Sequence, residues 1–299
     1  MIMELNSSHL EQCVDIAFQR NNQPENNSAY CPKSKGSIKA DFEFLMSNPG
    51  NLMVGYFADD NLMGILGCFV NPENHWVDCS GPFFNADWSE DIAKEMLAFA
   101  GARLANAARF NFYFDTRNEN LHRLMTRLSA ERRDNEYHLL LKKADYTPQL
   151  LKHNIVRYVE KFENDVIQIL HDTFPESYVS GRELIDSIGK DREVFCALDE
   201  NGEFVGYGVL KRYGNETTHM NAEIFAVAEG ARGKGYGWAL LNAVISCALN
   251  DFNADTVDLI VDKLNTHARD LYYSCGFTLD VENASYCIYS VTNSLEKGM

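Results

Sequence analysis

Val227-Ala228-Glu229-Gly230-Ala231-Arg232-Gly233-Lys234-Gly235-Tyr236-Gly237 is the most informative run in this chain. The residues leading into it, 222–227, are apolar apart from Glu223 and read as a strand. Those that follow place apolar side chains at 238, 240, 241, 244, 245, 248 and 249, the spacing of a helix with a core-facing stripe. The glycines therefore occupy a strand-to-helix turn. Such a turn leaves backbone N–H groups unpaired at the positive end of a helix, and glycine lets an anion's oxygens approach them. The ligand this predicts is a phosphate group. Counted from Gly230, a P-loop would need lysine after Gly235, where Tyr236 stands. A dinucleotide fingerprint needs G-x-G-x-x-G or G-x-G-x-x-A, but Trp238 and Leu240 occupy the closing positions.

What remains, Arg232-x-x-Gly235-x-Gly237, resembles the pyrophosphate loop of the GNAT superfamily, the acyl-CoA-dependent N-acetyltransferases. A second motif agrees. Asn265 is followed seven residues later by Tyr272 and then by Gly276-Phe277, which resembles the family's helix after the fifth strand. The resemblance covers residues 155–289. The first half shares only the element order: its loop position reads Gly81-Pro82-Phe83-Phe84-Asn85, and Met125 stands where the tyrosine would. A first domain of related fold that has lost the cofactor loop is the expectation.

At 299 residues the chain is long for one core, and two domains are the prior. Its 45% hydrophobic and 23% charged residues are ordinary for a globular protein. The run 235–250 is shorter than the ~20 residues a membrane-spanning helix needs, and the N-terminus lacks the basic start and apolar run of a signal peptide. These features predict a cytoplasmic protein with no membrane partner. The eight cysteines show no C-x-x-C spacing and read as reduced core thiols, with no metal site expected. A net charge of −16 argues against a nucleic-acid partner and favours approach of a cationic substrate such as an amine.

Along the chain, the first half reads as helices at 7–19 and 38–46, strands at 52–57, 62–70 and 76–84, a helix at 89–108, a strand at 110–114, a helix at 118–128 and a strand at 137–141. The polar, proline-marked run at 142–149 predicts a linker. The second half repeats the order, with strands at 155–158, 193–198, 204–210, 220–227, 256–261 and 286–289 and helices at 162–174, 180–187, 236–250 and 266–274. The predicted fold is α+β: two tandem GNAT-like domains, 1–145 and 146–299, each a mixed, mostly antiparallel sheet flanked by helices. Two fused domains also leave both a monomer and a dimer open.

The resemblance implies acetyl transfer from acetyl-CoA to a primary amine by direct attack in a ternary complex. An alkyl ammonium with a pKa near 10.4 is protonated at pH 7, so a base is required. Glu223 resembles the carboxylate that histone-type members use, and burial among apolar neighbours would raise its pKa toward a useful value. Backbone N–H groups of Phe225, Ala226 and Val227 would polarise the thioester carbonyl where the strand splays. Tyr272 stands where the family's donor to the departing thiolate stands, with Tyr273 as the fallback. Arg232 and the backbone of Gly233, Lys234, Gly235, Tyr236 and Gly237 would hold the pyrophosphate, and Asn265 would contact the pantetheine arm or order the loop. His219 and His267 are weaker candidates for the base, and Cys275 for an acyl carrier. The rival readings are a CoA-binding sensor or assembly protein without transfer activity, and a transferase for a different acyl group. The acceptor amine, small molecule or peptide, carries no signature in the sequence.

Overall fold

The computed structural model describes residues 1–289 except 73, 86, 176, 178, 214 and 215. It divides into two compact units, Met1–Glu136 with the residues from Val281 on, and Tyr137–Asp280. This differs from a cut at 145/146 at both ends. Residues 137–145 group with the second unit, and the last strand groups mostly with the first.

The first unit comprises β1 (Ile2–Glu4), α1 (Leu10–Asn21), α2 (Lys35–Ser47), β2 (Leu52–Ala58), β3 (Asn61–Val70), β4 (Trp76–Phe84), α3 (Glu90–Arg103), β5 (Arg109–Asp115), α4 (Glu119–Arg127) and β6 (Glu131–Arg132). Local chemistry sets several boundaries. Ser34 and Ser89 start α2 and α3 by accepting from the N–H of Ser37 and Ile92, and Glu90 and Asp91 sit at the positive end of α3. Asp59 and Asp60 both take positive φ in the two-residue turn between β2 and β3, the geometry that matches strand twist.

The second unit holds β7 (Glu136–Lys142) from Tyr137 on, then β8 (Asn154–Arg157), α5 (Glu163–Thr173), α6 (Gly181–Ser187), β9 (Arg192–Leu198), β10 (Phe204–Tyr213), β11 (Glu216–Val227), α7 (Tyr236–Ser246), β12 (Thr256–Asp262), α8 (Thr266–Ser274) and the start of β13 (Thr278–Ile288). Its strand order is β7-β12-β11-β10-β9-β8, with β11 and β12 parallel. β13 is far longer than the strand expected at 286–289. From Asn283 it pairs antiparallel with β5, completing the first unit's sheet. Strand-forming side chains set that length, but only pairing fixes the partner.

One core of the second unit lies under α7, and a second lies with α5 and α6. α7 is buried nearly all round rather than along one stripe, and ends in a π turn at 247–251. All eight cysteines are buried, free thiols. Among the described residues no helix is long and apolar enough to cross a membrane.

The run expected to be a linker is built into the second unit instead. Tyr146, Leu151 and Ile155 pack on the α7 core, and the Lys143 ammonium donates to the Leu249 carbonyl (2.7 Å) and the Asn253 side chain (2.7 Å) near the helix's negative end.

Candidate active site

The parallel pairing of β11 with β12 spans only three positions, His219↔Thr256, Met220↔Val257 and Asn221↔Asp258. Beyond them the strands part. β11 stays paired with β10, and there Val209 faces Ile224 while Leu210 faces Ala222. Glu223 is therefore the extra residue of a β-bulge. The bulge reverses the inside–outside alternation: Met220 and Ala222 lie in the α7 core, whereas Ile224 and Ala226 lie in the α5–α6 core.

The opened side of β11 offers backbone donors. The Ala228 N–H bonds the Val205 carbonyl, so by the alternation of an antiparallel ladder Ala226 also faces β10, while Phe225 and Val227 turn toward the gap. The Arg232 Nε bond to the Val227 carbonyl, 3.0 Å, lies on that same side. Of the three residues expected to polarise a carbonyl, the register points two into the gap and turns Ala226 away.

The glycine loop follows. Glu229–Ala231 form a 3-10 turn, and Gly235 caps α7 with φ of +91°, a conformation that favours glycine. No side chain caps this helix, and its first N–H groups have no acceptor among the described residues. This is the arrangement that takes a phosphate. A Cβ on Gly237 would make only ordinary contacts, 3.6 Å from Leu271 of α8 and 3.9 Å from Val227, so what a bare Gly237 offers is backbone open to a ligand rather than room for packing.

Tyr272 lies on α8 and is partly buried, its ring edge-on to Phe277 at 6.2 Å. Burial, helped by Cys275, pushes the phenol up to about 12. The hydroxyl is therefore protonated at neutral pH, as a proton donor must be. Tyr273 is exposed. Asn265 is the N-cap of α8, its side chain accepting from the Ala268 N–H at 3.1 Å. That capping bond gives it a structural task at the helix start. Cys275 is buried under an Asn242 contact of 3.3 Å, and burial raises its thiol.

Glu223 departs most from expectation. Its side chain is buried and meets charge there: Arg192 grips it with Nε at 2.6 Å and Nη2 at 2.8 Å, and Lys211 Nζ lies 3.1 Å away. Apolar neighbours were expected around this carboxylate; two cations pair with it instead. Burial and the Glu223 charge together raise the Tyr207 phenol. Neither cation stands out in the sequence, because the bulge that aligns them with Glu223 leaves no local signal.

A second polar cluster was also not foreseen. His138 Nε2 meets Asp258 at 2.6 Å and its Nδ1 meets Asp280 at 3.1 Å; Asn221 donates to Asp258 at 2.8 Å. His219 contacts Thr256 at 2.7 Å and Asp258 at 3.1 Å, so both its nitrogens are engaged. Burial would raise the Asp258 carboxyl, yet the two histidines hold it well below the usual range. Burial would likewise lower His138, but Asp258 and Asp280 push it up to about 9.

Residues 163–277 match the family model described as the acetyltransferase (GNAT) family. This segment is a GNAT domain. No curated protein matches the chain. Solved structures match it over nearly all its length. A tandem GNAT protein from the clavulanic acid biosynthesis pathway is 12% identical with a TM-score of 0.74, covering 97% of this chain and 98% of that one. A GCN5-related N-acetyltransferase from Sphaerobacter thermophilus is 13% identical with a TM-score of 0.79, covering 96% and 95%. A GNAT-family acetyltransferase from Colwellia psychrerythraea is 15% identical with a TM-score of 0.62, covering 96% and 99%. At these identities the likeness is one of fold, and it extends to the first unit.

The GNAT comparison makes the first unit's differences legible. β4 and β5 also pair in parallel at only three positions, Trp76↔Arg109, Val77↔Phe110 and Asp78↔Asn111, and then part. Asn111 donates to Asp78 at 2.8 Å, with amide and carboxylate exchanged relative to Asn221 and Asp258. Here the gap is bridged by the chain itself. Ser28 Oγ bonds the Cys79 carbonyl of β4 at 3.3 Å, and the Ala29 N–H bonds the Tyr113 carbonyl of β5 at 2.7 Å. Among the described residues, nothing bridges β11 and β12 in this way.

Proposed function

We propose that the second unit transfers an acyl group, acetyl in the first instance, from its CoA thioester to a primary amine by direct attack. The observation that carries this reading is the gap between β11 and β12, unbridged by backbone hydrogen bonds among the described residues, with inward backbone N–H groups at one edge and a glycine-led helix start without a side-chain cap beside it. Arg232, Lys234 and the N–H groups from Gly233 to Gly237 would hold the pyrophosphate. CoA supplies an activated thioester. Phe225 and Val227 offer donors for the carbonyl oxygen as it gains charge. Tyr272, kept protonated, donates to the departing sulfur.

Glu223 enters with an altered task. Both carboxylate oxygens are already engaged by Arg192 and Lys211, so Glu223 fixes the two cations beside the gap, and the amine proton leaves through water. The same clamp favours the second reading, a CoA binder without turnover, since it occupies the obvious base. Thiol release from acetyl-CoA, measured over polyamines, aminoglycosides, amino acids and peptide N-termini, tests the choice. Turnover on an amine that is lost in Arg232→Ala supports transfer. Tight CoA binding without turnover on any amine leaves the binder.

A further inference from the structure

We propose that His153 forms a further wall of the phosphate cradle, its imidazole binding a phosphate group of the CoA held at Arg232 and the start of α7. This rests on the reading that the loop holds CoA. His153 precedes β8, in a stretch whose sequence carries no motif. The packing of Tyr146, Leu151 and Ile155 on the α7 core folds this stretch back along the helix. The His153 ring then lies on the Tyr236 ring, with centroids 4.3 Å apart and a tilt of 43°. Its Nε2 stands 3.0 Å from where a Cβ on Gly235 would be, directly at the cap of α7.

Three observations distinguish binding from packing. Neither ring nitrogen has a hydrogen-bond partner among the described residues, although the ring is held in one place. The residue is only partly buried, so a ligand can reach it. Its surroundings are basic: exposed Lys152 precedes it, and exposed Arg232 and Lys234 lie on the adjoining loop, in a chain of net charge −16. Like charges gathered at the positive end of a helix repel one another unless an anion lies among them. A phosphate there takes an imidazole N–H, the loop N–H groups and the guanidinium together. The glycine at 235 thus serves both backbone and ligand, since it takes the positive φ and a Cβ there would press on the imidazole.

Calorimetric titration of the full chain with CoA and with 3′-dephospho-CoA tests this. His153→Phe keeps the ring stack and removes the nitrogens, whereas His153→Gln keeps a donor. The expected result is a CoA Kd raised about tenfold in His153→Phe and less than threefold in His153→Gln. If dephospho-CoA shows the same loss, the contact is to the pyrophosphate; if the loss vanishes, it is to the 3′-phosphate. Equal affinity in His153→Phe and wild type, or equal losses in both variants, overturns the His153 assignment and leaves the CoA reading standing. Failure of the wild type to bind CoA overturns both.

Discussion

Glu223 shows how much one neighbour changes a side chain's chemistry. Its side chain is 3% exposed and that of Arg192 8%, so removing the charge of one takes the nearest counter-charge from the other, although Asp191 stays 3.2 Å from Arg192 and Lys211 3.1 Å from Glu223. Breaking a buried pair from one side costs about 3–5 kcal/mol, more than the pair contributes over an apolar replacement. Glu223→Gln is therefore expected to lower the thermal midpoint markedly, and Glu223→Gln with Arg192→Met to recover much of the loss. A single variant that melts like wild type while turnover falls a hundredfold would instead identify Glu223 as the base. Tyr272 behaves differently, because its phenol, pushed up to about 12, carries its proton across the physiological range. Tyr272→Phe is expected to lower kcat about 10²-fold with KM for acetyl-CoA unchanged. Both residues stood out in the sequence by their place in a motif. Their environments did not, because Arg192 and Lys211 reach Glu223 through a register that a bulge shifts by one.

At the scale of elements, the polar ribbon from β7 to β12 gives the second unit a pH dependence of defined sign. His138 is held at about 9 against an ordinary 6.5. Below pH 6.5 both folded and unfolded chains carry the proton, and its full contribution is present. Between 6.5 and 9 only the folded state keeps it, so stability falls by ~1.4 kcal/mol per pH unit at most. Asp258, depressed, has the opposite limb: its contribution is present above the unfolded carboxylate value and is lost in acid. Denaturant midpoints measured from pH 6 to 9.5 should decline in wild type and flatten in His138→Gln; parallel curves would refute the assignment. β7 matches the strand expected at 137–141. Its partners were not foreseen, since His138, Asp258 and Asp280 are distant in the chain and meet only when β7, β12 and β13 are assembled.

Over the whole chain, the two units share a three-position parallel register followed by parting strands, but the first gap is bridged by residues 28 and 29. One CoA per chain is therefore expected from calorimetry, and Arg232→Ala should abolish that single event. A stoichiometry of two, or binding that survives the substitution, would show the first unit to be open. The absence of Arg-x-x-Gly-x-Gly near residue 81 foretold the missing loop; the bridge was not foretold, because Ser28 and Ala29 lie in a polar run with no strand pattern.

The sequence by itself determined the strand-to-helix glycine turn, the repeated element order and the two motifs on α7 and α8, because these depend on side-chain period and backbone freedom within short stretches. Tertiary structure alone decided where the units divide, how β13 is shared out, what grips Glu223, what fills the first gap and what stands over Gly235. Each of those depends on hydrogen bonds and charges from residues far apart in the chain, and strand pairing carries no local signal of its partner.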